Sequence, residues 1–444
     1  MHSRGLVFSA LFALLNPHVG ASVLGPPSTL VKLSYGSFEE KAAENLVEFL
    51  GIPFAVPPVG RLRFAPPVPP TPFKGVQQAT SFAAACAKQV FENPLFPGPT
   101  TPPKTVRTSG TLIQYLVVLI IILGLYLNVI RPAMIPSGRK LPVLVYIYGG
   151  GFVIGDTTQV YGNTLVNRSL DLGEPIVYVT AAYRLNAFGF LAGKEVKDAG
   201  IGNLGLRDRL FCAAAMESGS PLVLPDILQQ QRYFDSVVTD TNCTTAPDKL
   251  ECLRDAPFEQ LVAAVDRTPS LFAYQSLKVA WMPVVDGVVI VRDPLISLQE
   301  GKYAKIPFIT GTVEDEGTLF SLGNMNITTN AQYLEYMKSN YFPSISDADL
   351  AALEVAYPDD VTQGSPFDTG TANALTSFLL NTTLIGYLRH SATPSPLGVI
   401  HGGDIDEFAG VGNGTDFIGA DALIYFTRNL DPNPPADEKP APER

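Results

Sequence analysis

Val143-Leu144-Val145-Tyr146-Ile147-Tyr148 runs directly into Gly149-Gly150-Gly151-Phe152. The first six residues are β-branched, aromatic or leucine and carry no charge, the composition of a strand inside a sheet. Ile176 to Tyr183 is a second apolar run of strand length, bounded by Gly173 and Pro175 before it and Arg184 after it. Phe211 to Met216 and Ile306 to Gly311 complete a set of short strands that read as buried. Helical stretches such as Asp347 to Tyr357 fall between such runs, so the pattern predicts an α/β sheet covered on both faces. Ser28 to Gly75, rich in Pro and Gly, predicts short antiparallel strands and turns instead, because proline is excluded from helix interiors.

The bulk numbers narrow the class. With 444 residues, 46% hydrophobic and 16% charged, the chain is long enough to bury a large core. A net charge of -11 without a Lys/Arg-rich run excludes a nucleic-acid partner. Residues 1 to 22 have the layout of a secretory signal: Arg4, an apolar run from Leu6 to Leu15, Pro17, then Gly20-Ala21-Ser22. Sequons at Asn167, Asn242, Asn326, Asn381 and Asn413 agree with export and glycosylation. Cys243 and Cys252 enclose a short polar loop that suits a local disulfide. Cys86 and Cys212 are either bridged to each other or have lost partners.

Leu112 to Ile130 is uncharged and long enough to cross a bilayer. A span there would put two halves of one exported domain on opposite sides of the membrane, so membrane contact through it is not favoured. Residues 431 to 444, proline-rich and charged, read as a disordered tail.

Once the signal is removed, His390 and His401 are the two histidines left to act as a base near neutral pH. His390 reads as a surface residue beside Arg389. His401 follows Leu397-Gly398-Val399-Ile400 and precedes Gly402-Gly403, a strand end entering a loop. Glu316 lies in Glu314-Asp315-Glu316-Gly317, just past a strand, where an acid can hold a histidine in one tautomer. Three consecutive glycines, Gly149 to Gly151, leave main-chain N–H groups unobstructed and permit a strained turn, which is what stabilising an oxyanion needs. No serine, however, has glycine both two before and two after it. Ser218, in Met216-Glu217-Ser218-Gly219-Ser220-Pro221, comes nearest, but Met216 would crowd an elbow, and Pro221 and Pro225 deny it a following helix. Gly200-Ile201-Gly202-Asn203-Leu204-Gly205 has dinucleotide-loop spacing without the strand or acid that reading needs. There is no zinc-site spacing, and no metal or cofactor is implied.

Together these pieces resemble the type-B carboxylesterase and lipase family, particularly its secreted fungal lipase-like members. The resemblance rests on Gly51-Ile52-Pro53-Phe54-Ala55, the Gly149 to Phe152 loop, Tyr183-Arg184-Leu185, Gly202-Asn203-Leu204-Gly205-Leu206-Arg207-Asp208, Met216 to Pro221, Trp281-Met282-Pro283-Val284-Val285-Asp286-Gly287, and the Glu316 and His401 motifs. It implies an α/β-hydrolase fold with a mixed, mostly parallel central sheet over residues 23 to 430. It also implies an acyl-enzyme mechanism on ester or lipid-ester substrates: His401 shuttles the proton, Glu316 orients it, and Gly150 and Gly151 hold the oxyanion. Ser218 then neighbours the acid, and Cys243 with Cys252 matches a family disulfide.

Departures from the family matter equally. Between Arg209 and Leu210 the resemblance implies a missing strand–elbow–helix crossover, on the scale of 30 residues or more, that would carry the nucleophile. An apolar insert at Thr105 to Gly124 stands where the family has the partner of Cys86. A damaged or mis-spliced coding sequence would explain both. The expectation is therefore a secreted, extracellular member of an ester-hydrolase lineage, inactive as written and with an incomplete sheet; the alternative is a non-catalytic esterase-like binding protein, with the membrane as its alternative location through Leu112 to Ile130.

Overall fold

The computed structural model describes residues 30–90, 92–93, 96–99, 124–135, 138–208, 213–219, 222–313, 316–324, 326–357, 401–411 and 417–435. The signal, the 105–123 part of the insert, the 209/210 junction, Cys212, Asn381, His390 and Asn413 lie outside these residues.

Twelve strands and thirteen helices are used below. The strands are β1 Leu30–Leu33, β2 Gly36–Glu39, β3 Lys41–Ala43, β4 Leu46–Pro53, β5 Val76–Gln78, β6 Glu92–Asn93, β7 Phe96–Pro99, β8 Tyr126–Pro132, β9 Val143–Tyr146, β10 Val177–Ala181, β11 Ala214–Glu217 and β12 Phe308–Gly311. The helices are α1 Asn163–Asp171, α2 Asn186–Phe190, α3 Lys194–Asp198, α4 Leu204–Arg207, α5 Gln231–Asp240, α6 Lys249–Asp255, α7 Phe258–Asp266, α8 Pro294–Gln299, α9 Glu316–Ser321, α10 Asn330–Tyr336, α11 Asp347–Ala356, α12 Ile405–Phe408 and α13 Ile418–Asn429.

Among the described residues the main sheet has five strands in the order β3-β4-β8-β10-β9, and β11 with β12 forms a separate parallel pair. Within the main sheet β9 and β10 are parallel, whereas β3/β4, β4/β8 and β8/β10 are antiparallel. The Pro/Gly-rich entry forms the small sheet β1-β2-β5. β8 pairs with β4 and, over Leu127 to Ile130, with β10 as well, so the end of the uncharged run Leu112 to Ile130, from Tyr126 on, belongs to a sheet and not to a membrane helix. Among the described residues no helix is long and apolar enough to cross a membrane.

One expectation needs correction. β9 and β12 are not buried on both faces: Val143, Val145 and Phe308 are 48%, 38% and 57% exposed. Among the described residues β9 pairs with β10 on one side and with no strand on the other, and β12 pairs with β11. A strand at a sheet edge loses the cover that an interior parallel strand receives.

The largest core lies elsewhere. It gathers Tyr148, Tyr183, Phe188, Phe190 and Leu204 with Phe234, Val237, Leu261 and Trp281 from the helical half. Its polar members are paired, as buried polar groups must be. Trp281 donates Nε1–H to Thr268 Oγ1 at 2.9 Å. Asn203 clamps Val284, donating to its carbonyl at 2.8 Å and accepting from its N–H at 2.9 Å. Arg184, 1% exposed, donates to Asp208 Oδ1 at 3.1 Å and to the Ala65 carbonyl at 2.6 Å, which ties β10 to the chain just before the junction.

Candidate active site

Strand ends assemble the site. β9 continues through Tyr148, whose hydroxyl donates to the Tyr183 carbonyl and accepts from the Tyr183 N–H, both at 3.2 Å. Tyr183 returns its own hydroxyl to the Tyr148 carbonyl at 3.1 Å. This reciprocal clamp fixes the glycine loop to the end of β10. Gly150 and Gly151 then take φ of +123° and +59°, which L side chains rarely adopt. A Cβ on Gly150 would stand 2.5 Å from the Ile154 carbonyl oxygen, so the turn demands glycine there. The Gly150 carbonyl accepts from Val153 and Ile154, each at 3.1 Å. Neither Gly150 nor Gly151 spends its N–H on another group among the described residues. Both donors therefore remain available to an oxygen.

Glu316 and His401, 85 residues apart, meet: Nδ1 of His401 lies 2.5 Å from Glu316 Oε2. The other carboxylate oxygen, Oε1, accepts from the Val313 N–H at 3.0 Å. Burial pushes the Glu316 carboxyl up, but bonds from His401, Ser218 and Val313 outweigh it and hold the group below its ordinary value. An ionised carboxylate can only accept, so the shared proton resides on Nδ1 and Nε2 is left as the basic nitrogen. Nε2 has no hydrogen-bond partner among the described residues. The Phe320 ring, 5.0 Å away centre to centre, backs the imidazole.

Ser218 follows β11 at φ +55°, a strained value for a serine, and donates its N–H to the Gly311 carbonyl at 2.8 Å. Its hydroxyl is buried without a hydrogen bond of good geometry, yet it lies close enough to Glu316 to favour that carboxylate's ionised form. The serine thus sits on the acid side of the dyad. No serine hydroxyl bonds His401 among the described residues.

Two acids that sequence reasoning passed over complete the surroundings. Burial, with the Asp404 charge adding to it, pushes Glu217 up to about 7. Asp404, 8% exposed and three residues past His401, is also raised, mainly by burial. Adjacency to Ser218 and to His401 was the available sequence signal for both.

Cys243 and Cys252 are joined at an S–S distance of 2.01 Å, closing the loop between α5 and α6. Asn167, Asn242 and Asn326 are exposed. Among the described residues no cluster of His, Cys, Asp or Glu could hold a metal.

Comparison with known proteins gives these elements a lineage. The model of the carboxylesterase family matches residues 27–211 and again 207–363. Lipase 2 of Diutina rugosa is 34% identical over 469 aligned positions, covering 87% of this chain and 84% of the lipase. A secreted triacylglycerol lipase of Gibberella zeae is 32% identical, covering 84% of this chain and 69% of its own length. The crystal structure of EstA from Aspergillus niger superposes with a TM-score of 0.71 at 22% identity, over 91% of this chain and 89% of EstA, which fixes the fold as an α/β hydrolase. On the family match and these lipase relatives, the chain belongs to the carboxylesterase family.

Proposed function

We propose that this is an exported member of an ester-hydrolase lineage that keeps the base, the acid and the first oxyanion donors but lacks the nucleophile, and is therefore inactive as written. In the lineage's reaction a serine Oγ bonds the acyl carbon of a carboxylic ester while His401 Nε2 takes its proton and passes it to the leaving alkoxide. Water then bonds the acyl carbon, gives a proton through His401 back to serine, and releases the acid. Gly150 and Gly151 donate to the carbonyl oxygen as it becomes negative.

The observation that carries the reading is the His401–Glu316 pair, formed with Nε2 unpartnered among the described residues while Ser218 lies against the acid. Two further facts support a missing crossover. The family match breaks into two runs that meet at 207–211, around the junction of Arg209 and Leu210. The 469 aligned positions with Lipase 2 also exceed the 444 residues of the chain, so the relative has residues opposite gaps here. Residues 23 to 430 form the single catalytic-type domain in this reading, with Asn167, Asn242, Asn326, Asn381 and Asn413 as its glycan acceptors and extracellular export as its destination. The secreted lipase relatives support that destination.

Hydrolysis of p-nitrophenyl acetate tests the proposal. Purified chain of verified mass should release nitrophenol no more than about a thousandfold faster than water, the level that binding and an oxyanion hole supply without the triad. Turnover far above that, abolished by His401→Ala, would sink it. Sequencing the spliced transcript tests the origin of the junction: reads carrying an extra segment between Arg209 and Leu210 support a splicing fault, and reads identical to the chain refute one.

A further inference from the structure

Asn242 stands where α5 stops. Thr241 closes the helix, and the next two residues make both bonds of a left-handed cap: the Asn242 N–H donates to the Thr239 carbonyl at 3.1 Å and the Cys243 N–H to the Val238 carbonyl at 2.8 Å. Asn242 is exposed and takes φ +61°, a region that asparagine tolerates better than most side chains. Cys243 is 0% exposed, shares the main core with Val238, and bonds Cys252 across a sequence separation of 9. Its carbonyl accepts from the Ala246 N–H at 3.1 Å. Asn242-Cys243-Thr244 is also one of the sequons. The residue between acceptor amide and hydroxyl is thus a cysteine held by both the core and the disulfide. A glycosyltransferase has to take the Asn amide and the Thr hydroxyl into one site, on a segment free to leave the protein surface. The closed cap withholds that freedom, because both main-chain groups of Cys243 and its sulfur are committed.

Resting on the reading that the chain is exported, we propose that closure of the Cys243–Cys252 disulfide withdraws Asn242 from N-glycosylation, so that its glycan is added while Cys243 is a thiol or not at all. Two reactions compete for one tripeptide. Transfer joins Nδ2 of Asn242 to the anomeric carbon of a lipid-pyrophosphate-linked oligosaccharide; the lipid pyrophosphate leaves and the amide loses one proton. Closure passes two electrons and two protons from the two thiols to a disulfide oxidant, which an oxidising secretory compartment supplies. Order matters in one direction only. A glycan already on exposed Asn242 leaves Cys243 free to turn into the core, whereas a closed ring denies the transferase its segment. The ring is local and closes without the distant sheet, while ten-residue α5 has little helical stability of its own. Asn167 provides the contrast. It lies within α1, and the hydroxyl of its sequon, Ser169, donates to the Val166 carbonyl at 2.7 Å and accepts from the Ile176 N–H at 3.2 Å. Folding of the core withdraws that acceptor, and no cysteine takes part.

Occupancy is read by peptide mass spectrometry, after enzymatic deglycosylation in heavy-oxygen water, on full-length chain recovered from both the cells and the medium of a secreting yeast. The parent should carry glycan on only part of its Asn242. Cys252→Ser, which leaves the tripeptide intact, should raise the ratio of glycosylated to bare Asn242 at least about threefold and leave Asn167 unchanged. A second measurement needs no variant. Folded, unglycosylated, disulfide-bonded parent is offered to purified oligosaccharyltransferase and lipid-linked donor, before and after a mild reduction that leaves its circular dichroism unchanged. Asn242 should accept glycan only after reduction, and Asn167 in neither state. Full occupancy of Asn242 in the parent, an unchanged ratio in Cys252→Ser, or transfer to Asn242 of the disulfide-bonded chain overturns the proposal. An equal rise at Asn167 overturns it too, since general unfolding and not the ring then exposes the acceptors. Glycan missing from every sequon, with the chain held in the cytosol, overturns export instead, and the purified-enzyme comparison still decides the ring.

Discussion

Replacing Glu217 by Gln should stabilise the protein at neutral and alkaline pH. Glu217 closes β11 in a largely buried position beside Asp404, and its carboxyl is pushed up from 4.5 to about 7 by burial first and by the Asp404 charge second. The folded-state value exceeds the unfolded one. Between those two values the native state therefore holds more protons than the unfolded state, and stability falls as pH rises. Below pH 4.5 both states are protonated and the penalty vanishes; above about 7 it is complete. A displacement of this size corresponds to on the order of 3 kcal/mol. Gln keeps the shape and removes the ionisation. In urea melts at pH 4.5, 6 and 8, Glu217→Gln should match the parent at the lowest pH and exceed it by about 2–3 kcal/mol at the highest. Equal pH dependence in the two proteins, or a uniform loss at every pH, would refute the reasoning.

Further outcomes follow from the same geometry. Glu316 is held ionised below its ordinary value, so its contribution is present above the unfolded pKa and is lost as pH falls through the folded one. Glu316→Gln should therefore cost about 1–3 kcal/mol at pH 7 and progressively less in acid, as read by melts at pH 7 and pH 3. Arg184→Ala strands Asp208 in the core and should cost on the order of 3–5 kcal/mol in denaturant titration. Cys243→Ser opens a short loop with a sequence separation of 9 and should lower unfolding free energy by about 2–3 kcal/mol under oxidising conditions, with no effect once the parent is reduced.

Much of this architecture is written locally. Val143–Tyr146 and Val177–Ala181 are strands because β-branched and aromatic residues fill them, and Asp347–Ala356 is a helix started by the Ser346 side chain, which accepts from the Asp349 N–H. The glycine loop was legible for the same reason, since positive φ at Gly150 and Gly151 restricts the residue type. What the sequence could not give is partnership. A run such as Val143 to Tyr148 looks the same whether a neighbour lies on one side or both, so the bare face of β9 had no local signature. The approach of Glu217 to Asp404 joins segments nearly two hundred residues apart and is likewise invisible to periodicity. Ser218 is the instructive intermediate case. Its place after a strand and its positive φ imitate an elbow, and its nearness to Glu316, a product of the β11–β12 pairing, distinguishes the two.

Covalent labelling with a serine-directed organophosphate, followed by intact-mass and peptide-level mass spectrometry on the folded, disulfide-bonded chain, tests the proposed loss of the nucleophile most directly. The account predicts a mass unchanged by the reagent and no modified serine. A stoichiometric adduct on Ser218, or on any other serine, lost on His401→Ala, would contradict it.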